Sequence, residues 1–224
     1  MIAAVGFDLD FTLYDQADFV LPFFRRVAPK LAAIANVSPA VVYDVFTAVW
    51  SEKTPRYGKL FDEALQILNV HNVDLVAQLV NEHRSWRPPL DLYPGVRSTL
   101  ERLSARFPLI LITDGHATVQ RYKVEALEIA PLFAATVYTD EFGAAWQKPS
   151  PQPFLYAADL VGARARDCVF VGDNPHADLE GARRSGMLGV RVLTGPYSRG
   201  GFSAAAEVTV SSASKLEEIL GVLN

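Results

Sequence analysis

Two aspartates two residues apart, Asp8 and Asp10, close the run Ala4-Val5-Gly6-Phe7-Asp8-Leu9-Asp10-Phe11-Thr12. The segment Ala4–Phe7 is apolar without alternation, as a strand buried on both faces of a parallel sheet requires. Acids that leave such a strand stand at the carboxyl edge of the sheet, where open α/β sheets bind their ligands. With Leu9 turned away, both carboxylates can point into one crevice. The same short pattern also fits a plain strand-to-turn junction, with Asp10 and Thr12 merely capping the next segment, because patterns of this length recur by chance.

Two further apolar runs end in the same way. The run PLILITDG closes on Thr113-Asp114-Gly115, and DCVFVGD closes on Gly172-Asp173, with Asp178 just beyond. Lys148 lies between them in the loop QKPSPQPF. Helical patterns separate the runs at Tyr93-Pro94-Gly95 to Arg106, at Ala117–Leu127, at Pro151–Val161 and after Asp173, while ATVYTDE, LGVRVLTG and AEVTVSS read as further strands. Alternation of this kind predicts an α/β fold, a Rossmann-like parallel sheet with helices on both faces. Parallel strands put their carboxyl ends on one edge, so these groups can converge although they are far apart in the chain.

The stretch between the first strand and the rest does not fit that rhythm. A βαβ crossover normally takes about 30 residues, whereas 16–91 is more than twice that long and helical throughout. Apolar residues recur at helical spacing over Phe19–Ala35, Ser38-Pro39 opens a second helix, and Lys59–Leu68 and Val73–His83 read as two more. The expected organisation is an α/β core domain of residues 1–15 and 92–224, with an inserted α-helical cap domain of residues 16–91.

The composition excludes several function classes. Half of the 224 residues are apolar and about a fifth charged, as in a soluble globular protein with a sizeable core. A net charge of −4 argues against a general electrostatic grip on nucleic acid or an anionic membrane and points to small partners. The single cysteine, Cys168, lies in an apolar run and reads as a buried, inert thiol. The start MIAAVGFDLD meets Asp8 too early for a signal peptide or a membrane span, so a cytoplasmic location is expected.

Taken singly, each candidate has an ordinary alternative: a solvated loop lysine for Lys148, a strand-end hydroxyl for Thr113, a helix N-cap for Asp173, a surface histidine for His116. Taken in order, Asp8-Leu9-Asp10-Phe11-Thr12, the strand ending in Thr113, Lys148 in QKPSPQPF and Gly172–Asp178 (GDNPHAD) resemble the four motifs of the haloacid dehalogenase-like hydrolase superfamily, in its phosphatase branch. The resemblance spans essentially the whole chain. It implies hydrolysis of a small phosphate ester through an aspartyl-phosphate, with Asp8 as nucleophile and Asp10 as the acid that protonates the leaving oxygen and then activates water. Mg²⁺ would be held by Asp8, Asp173 and the backbone carbonyl of Asp10. Lys148, the Thr113 hydroxyl and the backbone N–H groups of Leu9 and Asp114 would hold the phosphoryl oxygens, while Thr12 would act one layer out and Asp178 would either orient Lys148 or a metal-bound water or bind the metal directly.

Within that family, Asp10 favours phosphate esters over carbon–halogen or carbon–phosphorus bonds. Phe11 stands where many relatives carry glycine and suggests a restricted pocket; Asp114 stands where many carry asparagine. The substrate is expected to be a nucleoside monophosphate, a sugar phosphate or a phosphoglycolate-like metabolite, read by cap residues drawn from Phe23, Arg25, Arg26, Trp50, Arg56, Tyr57 and Lys59. A phosphomutase on the same site and a phospho-accepting receiver domain are the alternatives.

Overall fold

A computed structural model describes residues 1–53, 58–199, 205–206 and 208–223. Its strands are β1 (Ala4–Phe7), β2 (Leu109–Thr113), β3 (Ala135–Tyr138), β4 (Cys168–Gly172), β5 (Leu188–Val192) and β6 (Val208–Val210). They form one sheet in the order β3-β2-β1-β4-β5-β6, parallel at every pairing. This is the doubly wound order of nucleotide-binding α/β folds, distinct from the 2-1-3-4-5 order of receiver-type domains. Every residue of β1, β2 and β4 is buried, which is why their sequences are apolar without alternation.

The helices are α1 (Ala17–Ala35), α2 (Pro39–Glu52), α3 (Leu60–Ile67), α4 (Val73–Arg84), α5 (Val96–Ser104), α6 (Ala117–Ala126), α7 (Gln152–Leu160), α8 (Glu180–Ser185) and α9 (Leu216–Leu223). Their starts follow the expected cap chemistry. The Val41 N–H donates to Ser38 Oγ at 3.4 Å with Pro39 in the first turn, and the Leu75 N–H donates to Asn72 Oδ1 at 3.0 Å. The helix expected directly after Asp173 differs. A π-helical turn over Pro175–Leu179 precedes α8, and Asn174 rather than Asp173 caps it, its Oδ1 accepting from the N–H groups of His176 and Ala177. Among the described residues no single helix is long and apolar enough to cross a membrane.

The chain divides into two compact units, one of Met1–Gln16 with Leu90–Asn224 and one of Ala17–Pro89. In the first, β1 lies between β2 and β4, and where the chain leaves and returns Tyr14 bridges Leu92 and the Tyr93 N–H donates to the Leu13 carbonyl at 2.9 Å. Cys168 is buried there, and burial pushes its thiol up to about 11, in keeping with an inert side chain. Phe11 is buried and holds a left-handed backbone with φ of 60°. Such a φ costs a side-chain-bearing residue but not glycine. Hydrogen bonds help hold it, since the Thr194 hydroxyl donates to the Phe11 carbonyl at 2.5 Å and Tyr93 OH donates to the Thr194 carbonyl at 3.1 Å.

The helical unit packs the stripe Phe19, Phe23, Phe24, Val27 and Leu31 of α1 inward. Phe23 is fully buried against Phe24, Phe61, His83 and Trp86. Phe23, one of the candidates for reading a substrate, thus has the core role that was its ordinary alternative, because an aromatic ring at helical spacing in an apolar stripe is first of all packing. Arg25 lies over the Tyr43 ring and Arg26 over the Trp86 ring. Arg56 and Tyr57 lie outside the described residues.

Candidate active site

The register of the sheet fixes where the acids emerge. Phe7 pairs with Leu111 on one side and Val171 on the other, so Asp8 leaves β1 level with Ile112 of β2 and Gly172 of β4. Its N–H still donates to the Val171 carbonyl at 2.9 Å, and the side chain is therefore aimed from the last rung of the ladder. Lys148, from the loop between β3 and α7, reaches the same place. Its Nζ donates to Asp8 Oδ1 at 2.5 Å, to Asp178 Oδ1 at 2.7 Å and to the Ile112 carbonyl at 3.3 Å, and it is only 2% exposed. A solvated loop lysine is ruled out by that burial.

The next shell is held as closely. Asp178 lies in the π-helical turn, and its Oδ2 accepts the Asn174 N–H at 3.0 Å, so both of its oxygens are engaged. Gly172 is required beneath it, because a Cβ there would fall 2.5 Å from the Asp178 Cβ. The Thr12 hydroxyl donates to Asp8 Oδ2 at 3.2 Å and accepts the Asp173 N–H at 3.2 Å, linking the ends of β1 and β4. Asp173 Oδ2 is buried and has no hydrogen-bond partner among the described residues. Gly195 crosses directly over this carboxylate, where any side chain would overlap it.

Asp8, Asp173 and Asp178 place carboxylate oxygens within 4.8 Å of one another, all buried. Lys148 pairs with two of these three carboxylates, Asp8 and Asp178. Burial and the repulsion of Asp178 push the Asp8 carboxyl up to about 7 despite Lys148, and burial with the charges of Asp178 and Asp8 raises Asp173 well above the carboxylate range. Burial alone would lower Lys148, but Asp178 and Asp8 outweigh it and keep it charged. The excess of buried negative charge, the all-oxygen donor set and the unpartnered Asp173 oxygen fit a hard divalent cation such as Mg²⁺.

Asp10 belongs to a separate cluster on the β2 side. Its Oδ1 accepts from Lys123 Nζ at 2.6 Å and from Tyr14 OH at 2.5 Å, and its Oδ2 accepts from Gln120 Nε2 at 2.9 Å. Burial pushes the Asp10 carboxyl up, but Lys123, Tyr14 and Gln120 more than offset it and leave it below the usual range. Gln120 also donates to Thr113 Oγ1 at 2.5 Å. Asp114, whose side chain carried no assignment from sequence, accepts at Oδ1 from the Thr139 hydroxyl at 2.6 Å and from the Lys148 N–H at 3.3 Å, which ties the Lys148 loop to β2.

The structure thus brings Asp8, Thr12, Lys148, Asp173 and Asp178 into one hydrogen-bonded group. Asp10 and Thr113 meet through Gln120. Leu9 is fully buried between the two acids in sequence. His116 stands at the N-terminus of α6, with a buried Nδ1 lacking a hydrogen-bond partner among the described residues. Tyr14, Gln120, Lys123 and Thr139 were not read from the sequence as site residues. A signal existed for two of them: Gln120 and Lys123 fall within the buried face of α6 beside Val119 and Val124, where a polar side chain must find a partner.

A family model described as haloacid dehalogenase-like hydrolase matches residues 2–186. The chain is 31% identical over 225 residues to a glyceraldehyde 3-phosphate phosphatase of Methanocaldococcus jannaschii, covering 98% of this chain and 97% of that one. It is 31% identical over 203 residues to the enzyme of the same name from Methanopyrus kandleri, covering 88% and 86%. The crystal structure of a HAD phosphatase from Thermococcus onnurineus superposes with a TM-score of 0.70 over 98% of both chains at 24% identity, a likeness of fold. With a family match over most of its length and phosphatase relatives aligned over most of theirs, this chain belongs to the haloacid dehalogenase-like hydrolases, as one of their phosphatases.

Proposed function

We propose that the protein hydrolyses a small phosphorylated carbohydrate of the triose-phosphate class, with Asp8 as the nucleophile. The observation that carries the reading is the Asp8–Lys148–Asp178 chain at 2.5 and 2.7 Å, a carboxylate aimed from a strand end with a buried ammonium fixed beside it. The substrate class is suggested by the two relatives named for glyceraldehyde 3-phosphate, which align over most of their length.

The bound phosphate dianion raises the proton affinity of Asp10, which enters the step protonated; an Asp8 oxygen forms a bond to phosphorus while the bond from phosphorus to the ester oxygen breaks, and Asp10 gives that oxygen its proton. Water then attacks the aspartyl-phosphate, Asp10 takes its proton, and the bond to Asp8 breaks to release phosphate. Lys148 neutralises the incoming dianion and holds the Asp8 carboxylate in line. Thr113 and the backbone N–H groups of Leu9 and Asp114 bind the equatorial oxygens. Asp8, Asp173 and the Asp10 carbonyl would hold Mg²⁺, which supplies the positive charge that lets a carboxylate approach a phosphate dianion. Asp178 orients Lys148, and Thr12 orients Asp8. The helical unit, residues 17–89, is assigned the role of cap.

The test is a panel of phosphorylated metabolites assayed with Mg²⁺ for release of inorganic phosphate. Glyceraldehyde 3-phosphate and related short sugar phosphates should head the ranking. A panel with no phosphate released, or with only isomeric monoesters formed, would remove hydrolysis from the reading.

A second prediction follows from the buried charge. Asp8 titrates near 7 when folded and near its ordinary 3.8 when unfolded, so in the metal-free protein it contributes stability below about pH 4 that is lost as pH rises through 7. Asp173 acts in the same direction. Asp10, depressed in the folded state, works the other way only below its ordinary 3.8. The melting temperature of the EDTA-treated protein should therefore fall by several degrees between pH 5 and about pH 8. Added Mg²⁺ should restore most of the difference at the higher pH; a melting curve indifferent to both pH and Mg²⁺ would contradict the crowded-carboxylate picture.

A further inference from the structure

We propose that Lys123 and Gln120 of α6 are positioning residues for the reaction: together they hold the Asp10 carboxylate and the Thr113 hydroxyl in the orientations that proton transfer and phosphate binding require. The inference deepens the proposed function and rests on the assignment of Asp10 as the proton-transferring acid.

The geometry is specific. Gln120 and Lys123 stand three residues apart on α6 and so project from one face of it. Both are 2% exposed. Burying a lysine and a glutamine is costly unless their polar atoms are satisfied, and here the partners include the Asp10 carboxylate, which lies more than a hundred residues away in sequence. Lys123 takes Oδ1 at 2.6 Å and Gln120 takes Oδ2 at 2.9 Å, so the plane of the carboxylate is fixed from both ends. Tyr14 shares Oδ1, and its ring lies 5.8 Å from the Lys123 ammonium.

Gln120 does a second thing. By donating to Thr113 Oγ1 at 2.5 Å, it makes that oxygen an acceptor on the helix side. The Thr113 proton is then left to point elsewhere; within the protein its acceptor is the Asp114 carbonyl at a long 3.4 Å, which a phosphoryl oxygen could replace. One amide thus sets the polarity of the threonine and the plane of the aspartate together. The two buried lysines also divide the acids between them, Lys148 serving Asp8 and Lys123 serving Asp10. The two carboxyls, only two residues apart, are in this way prevented from competing for one cation.

The test separates proton donation from folding by the leaving group. An alkoxide must be protonated to depart, whereas p-nitrophenolate departs unaided, so a misplaced acid slows the first and spares the second. The first-turnover rate of leaving-group release is measured with glycerol 3-phosphate and with p-nitrophenyl phosphate for wild type, Asp10→Asn, Lys123→Met, Lys123→Arg and Gln120→Met. Asp10→Asn and Lys123→Met should each lower the glycerol phosphate rate about 100-fold, and the p-nitrophenyl phosphate rate by less than about 5-fold. Lys123→Arg, which keeps the charge, should recover to within about 10-fold of wild type. Gln120→Met should show the same selectivity together with a raised KM for both esters, because Thr113 loses its orientation as well. If Lys123→Met does not fold, Lys123→Arg and Gln120→Met carry the comparison, and loss of the leaving-group selectivity in Gln120→Met overturns the proposal. Equal losses on the two esters in Lys123→Met, or no loss, likewise overturn it while Asp10→Asn remains selective. An unselective Asp10→Asn would sink the acid assignment itself, and the proposal with it.

Discussion

Asp8→Asn is expected to lower turnover of any phosphate ester by about 10⁴-fold or more while leaving the protein folded. The amide matches the carboxylate in shape, so the ladder bond from the Asp8 N–H to the Val171 carbonyl and the contact with Thr12 can both survive. What is lost is the attacking electron pair, since an amide oxygen does not form a stable bond to phosphorus. The variant also removes one carboxylate from a cluster of three buried carboxylates, two of which are paired with Lys148. Its melting temperature at neutral pH should therefore equal or exceed that of the wild type, the pattern expected where a site is held under electrostatic strain for its chemistry. Circular dichroism melts together with phosphate release measure both quantities. Turnover retained within about 10-fold would show that the nucleophile lies elsewhere.

Removal of divalent cations is the second large effect. Chelation with EDTA should reduce phosphate release by roughly 10³-fold or more, and Mg²⁺ added in excess should restore it. The reason is visible in the charge balance. A phosphate dianion approaching Asp8 meets Asp178 and, whenever it is ionised, Asp173, and Lys148 is already committed to Asp8 and Asp178 at 2.5 and 2.7 Å. The buried Asp173 Oδ2, which has no hydrogen-bond partner among the described residues, is the atom most in need of a cation. The variant Asp173→Asn should accordingly raise the Mg²⁺ concentration needed for half-maximal activity. Full activity in EDTA would rule out the cation assigned to this cluster.

Much of this arrangement was legible in the sequence because parallel sheets are unusually simple to read. The strands β1, β2 and β4 are buried on both faces, and such strands leave uninterrupted apolar runs that stop at polar residues. The stops at Asp8, Thr113 and Asp173 therefore marked one edge of one sheet. Lys148, which alone reads as a solvated loop lysine, could be placed only because QKPSPQPF resembles the third of the four family motifs and falls in order between the others. The helical insert was visible from length alone, since no simple crossover takes so many residues.

The surroundings of Asp10 were not legible, for an equally physical reason. A lysine and a glutamine on a helix are ordinarily solvent-facing, and only the neighbouring Val119 and Val124 mark this face of α6 as buried. Tyr14 appeared as one more residue at the junction, although its OH meets Asp10 at 2.5 Å. The π-helical turn at Pro175–Leu179 was also hidden, because its extra residue leaves no compositional mark. It changes which residue caps the turn and brings Asp178 beneath Lys148. Phe11 was noted for its bulk, whereas the structure shows it in a left-handed backbone conformation with φ of 60°, which costs a side-chain-bearing residue but not glycine.

The short bridge between Tyr14 and Leu92, with the Tyr93 N–H on the Leu13 carbonyl, bears on how such a chain can diversify. The two ends of the inserted segment are fastened to each other within the sheet-bearing unit, so the loop they close has its entropic cost met there, and that cost grows only slowly with length. Segments of different size and composition can thus be exchanged between these two anchors while the spacing of the acids at the strand ends stays unaltered.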